Sequence, residues 1–520
     1  MKAISLKRIF GIAILAVALA AVSAVAPAAQ QATQSAPAAD KPLATTLPDA
    51  QARPDTVPVT TASQAARHDY NLAMQNFEIF LLTEEGLANL RGAITEDPHF
   101  ALAHAALAYF SGDSREEKRE IVLAKQNLRN AAPDEILLIQ WFIGTKDGDL
   151  IPAISAINDL RAAYPKDGGL GDMYGGWLLN AANYERAQTV LQHVLDRDPN
   201  YYPALNDLAY AYAMAGDYSK TTTLMEKYVA ALPNQPNPQD SYGELLRMAG
   251  DFKGSIEHYR AALAIDPTFT TSQLGIASNY AFMGDEERAR TEYLRAIAMT
   301  HERNTKLQYR MLWAMTYYRA SQPEQARKEY TALLAEARKE NLAVSQAECY
   351  RTMALFNPEP AAALNDLDAA QSVLAEKHEM PESEREIELA TILQTRAYIA
   401  TRAAQPQVAA KALSELEPFA AKSRNNVVQA AQHSTQGAVL LLEGKYAQAV
   451  DQLQEDSRNP LSLQLLADAQ SKAGQAPDGA KTLATLAAIN DERVETAAVA
   501  QPVREALNRS NPKSAQANTP

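Results

Sequence analysis

The 520-residue sequence predicts an all-α solenoid of stacked helical hairpins, and three observations carry that prediction. Prolines fall at 98, 133, 165, 199, 233 and 267, with gaps of 35, 32, 34, 34 and 34. Between them the pairs Gly216-Asp217, Gly250-Asp251 and Gly284-Asp285 recur at the same spacing of 34. Within each interval the apolar residues follow helical spacing, as Leu205, Leu208, Ala209 and Tyr212 do at i, i+3, i+4 and i+7. A fixed period of this length marks a unit that cannot bury its apolar face alone and must stack on copies of itself.

The chain opens with positive charge at Lys2, Lys7 and Arg8, an apolar run from Ile9 to Val22, and small residues through Ala28. This is the layout of a secretory signal, so residues 1–26 are expected to direct export, with a periplasm as the destination. If that segment were not cleaved, the chain would instead be anchored in the inner membrane, facing the periplasm. Residues 27–61 carry six prolines and no apolar periodicity, and are expected to form a disordered Ala/Pro/Gln/Thr-rich tether.

Residues 62–340 hold the strong period. In the unit from Tyr202 to Pro233, Gly216 ends the first helix, because glycine takes the left-handed conformation at C′ without steric cost. Asp217 or Ser219 caps the second helix, and Pro233 cannot continue it. Residues 341–490 keep the style with a weaker signal: Leu441 through Val450 reads as a helix end, a glycine turn and a helix start, and Leu461–Gly474 with Pro477–Ile489 as another hairpin. Residues 491–520 are expected to be a C-terminal cap and a polar, frayed tail.

These units resemble the tetratricopeptide repeat. The resemblance rests on Tyr242-Gly243, Leu246, Ser255, Tyr259, Ala262 and Pro267, repeated as Ile276-Ala277, Tyr280, Ala289, Tyr293 and Ala296, and again as Trp313-Ala314, Tyr317, Ala326, Tyr330 and Leu333. Upstream, Tyr174-Gly175, Leu178, Ala187, Leu191, Val194 and Pro199 fit the same pattern. Thr221 and the Gln140-Trp141 pair depart from it. The resemblance implies a right-handed superhelix whose concave groove carries ligand contacts on the first helix of each hairpin. Here those positions are Asn206, Tyr210, Asp240, Glu244, Arg247, Leu274, Ser278, Met311, Met315 and Tyr318, expected to stand exposed outside the hairpin core. They lack the Lys/Asn/Arg clamp by which chaperone-docking members of the family hold a C-terminal carboxylate.

The chemistry-bearing residues form no catalytic, cofactor or metal constellation. His99 and His104 are five apart and cannot share a helix face as a His-Glu-X-X-His zinc site requires. Gly168-Gly169-Leu170-Gly171 follows no strand pattern and lacks the Lys-Ser/Thr ending of a phosphate loop, so Gly175 reads as a packing glycine. The single cysteine, Cys349, excludes disulfides and Cys-X-X-Cys chemistry and reads as a buried thiol.

Charge narrows the partners. The balance is 49 basic against 62 acidic residues, a net of −13, and −16 without the three cations of the first 26 residues. Nucleic acid is disfavoured, since its binding rests on Lys and Arg neutralising phosphates. A protein or peptide partner, basic in charge, is expected. The leading expectation is a non-catalytic exported scaffold that binds such a partner in its groove and is not inserted in the membrane after signal cleavage. The alternatives are an all-α helical-toroid enzyme acting on glycans, which would need a carboxylate pair in a cleft, and the membrane-anchored form as an assembly factor.

Overall fold

The computed structural model describes residues 56–510 other than 78–82, 112–113, 301–302, 377–379, 381 and 424. The proposed signal, most of the proposed tether and the last ten residues lie outside the described residues. Those described form 25 α-helices and no strand; the first 24 pair as twelve antiparallel hairpins that stack in chain order, and Gln501–Ser510 follows them. First helices begin at Gly168, Tyr202, Pro236 and Thr270, at steps of 34.

The regular hairpins form for local reasons that can be read from their turns. Gly216, Gly250 and Gly284 lie at φ of 84, 86 and 80°, in the left-handed region. There the amide after each glycine reaches back to close the helix, as Asp251 N does to Leu246 O at 2.9 Å. The next side chain starts the second helix: Asp217, Asp251 and Asp285 accept from Lys220 N, Gly254 N and Arg288 N at 3.2, 2.9 and 3.1 Å. Ala182, Ser321, Asn341 and Ala404 adopt the same left-handed turn without being glycine. The geometry therefore outlasts the residue that advertises it.

Hairpins lock together by close approach. A Cβ at Gly275 would lie 2.2 Å from Tyr259 Cζ of the preceding hairpin, and within a single hairpin one at Gly175 would lie 2.5 Å from Leu191 Cδ2. Gly175 is thus a packing residue, as the sequence predicts, inside the helix Gly168–Asn180. Thr221 proves compatible with its tight position because its hydroxyl donates to Ala209 O at 3.1 Å. Ser255 serves Gly243 O in the same way at 2.5 Å. Trp141 is fully buried where other units carry a small residue, and Gly144, one turn later, admits Ala153 in compensation.

The superhelix returns upon itself. Lys118 Nζ donates to Met380 O and Asn426 Nδ2 to Asn180 O, each at 3.2 Å. Arg458 stacks over the Tyr184 ring at 3.8 Å. Residues about 250 apart thereby meet across the turn. One terminal expectation is corrected. Residues 56–61 belong to the wall rather than to a free tether, since Thr60 N donates to buried Glu135 at 2.7 Å and Thr61 Oγ1 to Asp97 at 2.5 Å. Residues 488–504 turn inward, with Arg504 Nε donating to Ala487 O at 2.7 Å, and the helix Gln501–Ser510 that follows is exposed from 505 to 509.

Candidate functional site on the inner face

The inner face is a stripe along the first helices. It lies ten, six and three residues before each left-handed turn: 206 and 210 before 216, 240, 244 and 247 before 250, and 311, 315 and 318 before 321. Helical periodicity places these three positions on one side, away from the partner helix. Every predicted groove residue falls on this stripe, and none of them is exposed. The expected exposure is corrected by two causes: the side chains bond to one another, and the chain's own C-terminal segment covers many of them.

The first half of the stripe is acidic. Asn206 donates to Asp207 at 3.3 Å, Tyr210 Oη donates to Glu244 Oε2 at 2.8 Å, and Asp240 accepts from Ser272 Oγ at 2.6 Å. Burial pushes the Asp207 carboxyl up to about 7 and the Tyr210 phenol well above its ordinary value.

The second half bears arginines, and the chain's own residues 489–501 are seated on it. Arg247 Nη1 donates to Asn490 O at 2.7 Å while Nη2 reaches Glu244 at 3.3 Å. Ser278 Oγ donates to Glu492 Oε1 at 2.5 Å. Arg351 pairs with Glu495, and Arg319 Nη1 donates to Gln501 Oε1 at 3.0 Å. Val494 and Ala497 share one buried apolar cluster with Met311, Met315 and Tyr318. Leu274 is buried with the neighbouring hairpin instead.

Arg351, Glu348, Glu388 and Glu495 converge as a buried group of one guanidinium and three carboxyls. Burial raises Glu348 and Glu388 to about 8 each, because Arg351 cannot offset the desolvation of all three. Sequence reasoning missed these residues and Arg319. Glu348 and Arg351 read in sequence as an ordinary i,i+3 surface pair, and nothing local marks them as buried.

Histidines and the thiol have structural places. His104 is buried against Glu120 at 2.5 Å and His99 meets Asn127 at 3.0 Å. Cys349 is buried, and burial pushes its thiol well above the ordinary value.

Part of the chain is similar to known repeat proteins in sequence. The tetratricopeptide repeat family model matches residues 178–244. The TPR repeat-containing protein YpiA of Bacillus subtilis (strain 168) is 25% identical over 169 residues, which are 31% of this chain and 39% of that protein. The chain thus spans about two-fifths of that relative's length. Among solved structures, a tetratricopeptide repeat protein from Parabacteroides merdae ATCC 43184 is 13% identical, with a TM-score of 0.34, over 54% of this chain and 99% of that one. The type IV pilus biogenesis factor PilW is 15% identical, with a TM-score of 0.29, over 47% and 98%. The APC/C hetero-tetramer Cut9–Hcn1 is 14% identical, with a TM-score of 0.40, over 78% and 76%.

Proposed function

We propose that the chain, which matches the tetratricopeptide repeat family model over residues 178–244, is a non-catalytic exported scaffold which takes a segment of a partner protein along its inner face. The observation that carries this reading is the hydrogen bond from Arg247 to the main-chain oxygen of Asn490. The inner stripe holds polypeptide through side-chain donors to carbonyls and carboxylates, and buries apolar side chains such as Val494 between them. A site with those properties recognises extended or helical protein segments and offers no reacting group.

A photo-crosslinking residue at position 319, on the half-buried inner edge, is expected to capture a specific partner in the native compartment. The same residue at Glu257, exposed on a second helix, is not. Equal capture from both positions would move the binding surface off the inner face. Export rests on residues 1–26 alone. Sequencing the N-terminus of the purified native protein decides it: a start near Val25 or later supports export with cleavage, whereas retention of Met1 in a membrane fraction supports the anchored form.

A further inference from the structure

The chain as a whole is acidic, yet the part of the inner face that holds a segment presents arginines, each with carboxyls of the wall beside it: Glu244 at Arg247, and Glu348 and Glu388 at Arg351. Arg247, Arg319 and Arg351 stand on three of four successive first helices, Pro236–Ala249, Arg303–Arg319 and Ala343–Leu355, and the fourth, Thr270–Phe282, contributes Ser278. What they hold is acidic: residues 488–505 carry Asp491, Glu492, Glu495 and Glu505 against Arg493 and Arg504, a net of −2. The basic partner expected from net charge follows the far field, whereas contact specificity is set by the charges within a Debye length of the segment.

The fit between track and segment is incomplete. Arg351 is fully buried and uses Nη1 on Glu495, but its Nε and Nη2 have no hydrogen-bond partner among the described residues. A guanidinium binds a carboxylate best through two parallel N–H groups, so Arg351 is engaged below its capacity. Glu492 and Glu495 are three residues apart and are the carboxylates that touch the track.

We propose that Arg247, Ser278, Arg319 and Arg351 form the docking track for an acidic segment of the partner protein, with two carboxylates about three residues apart, and that residues 489–501 occupy this track as an internal competitor. This rests on the inner-face reading above and deepens it. The free protein is self-occupied, and a partner binds by displacing the segment, so its measured affinity is lowered by the fraction of chains in which the track is covered.

The test uses the full chain and a fluorescein-labelled synthetic peptide of residues 488–505. A Glu492→Lys/Glu495→Lys variant is expected to bind this peptide at least tenfold more tightly than the wild-type chain does. A peptide carrying the same two lysines is expected to bind neither chain. Amide exchange of residues 489–501 rises at least tenfold in the variant, while the hairpin Gly168–Arg197 keeps its protection. Glu495→Gln, which preserves shape, gives the same changes at smaller size. Equal peptide binding to both chains overturns the competitor, and so does loss of protection in the 168–197 hairpin together with the segment. Neither result touches the crosslinking test at position 319, so failure of the competitor and failure of the inner-face reading are told apart.

Discussion

Residues 168–299 and residues 303–510 are built from the same hairpin but cohere by different means. In the first region each turn is punctuated by a capping side chain at Asn183, Asp217, Asp251 or Asp285. In the second, Gln322, Gln405, Lys445 and Gln475 stand at the corresponding place with no side-chain cap bond. First helices lengthen there to 17 residues at Arg303–Arg319 and 21 at Glu382–Arg402. Cohesion comes there from buried apolar clusters between hairpins, to which the C-terminal segment adds Val494 and Ala497 and the buried Arg351–Glu495 pair. Hairpin geometry is therefore robust to the loss of its sequence marks, provided that tertiary packing replaces the local terms.

The comparison breaks most sharply at Gly275. In Gly275→Leu, the new side chain would meet the buried Tyr259 ring, and stability should fall by about 3 kcal/mol in denaturant unfolding. An unchanged midpoint would mean that close approach between hairpins is not what locks the regular region.

Next in size is the buried group of the second region. Glu388 titrates near 8 when folded and near 4.5 when unfolded, so the folded state holds the extra proton. Stability contributed there is complete below about pH 4.5 and is lost as pH rises through 8. Glu348 is raised to the same value, and Glu384, Arg351 and Glu495 also act on this group. Glu388→Gln fixes the neutral form. It should leave the melting temperature unchanged at pH 5 and raise it at pH 9, by on the order of 2 kcal/mol in stability. A gain that is equal at both pH values would contradict a titrating Glu388.

Smaller effects come from the caps. Asp251→Ala should cost about 1 kcal/mol, while Gln405→Asp, which supplies a missing cap, should add about 0.5 kcal/mol. Opposite signs in thermal melts of the two variants would confirm that the regions differ in local signals and not in geometry. Comparable in size to the caps is Ala404→Gly: Ala404 sits at φ 52°, and glycine relieves that conformation by roughly 0.5–1 kcal/mol.

These contrasts explain what the sequence made legible. The phase of 168–299 is written in residues whose reasons are local, such as Gly250 for its turn and Asp251 for its cap. The unit around Ser321 could still be found, because Trp313-Ala314 and Tyr330 mark its helix contacts. The stripe positions of Arg247, Met311 and Tyr318 were legible as a face, since helical spacing determines sides. Their covering was not. Residues 490–501 carry no period and resemble a polar tail, and their partners lie 144 to 243 residues away in sequence for Arg351 and Arg247. No short window contains both members of such a pair.

Order of synthesis gives the inward-turned segment one more meaning. Residues 489–501 follow in the chain every first helix that they touch, so their contacts can form only after all of those helices have been made. Until then Arg247 and Arg351 have the carboxyls of the wall, Glu244 and Glu348, but neither Asn490 nor Glu495. The cover of the inner face is thus the latest of the described long-range contacts that synthesis permits.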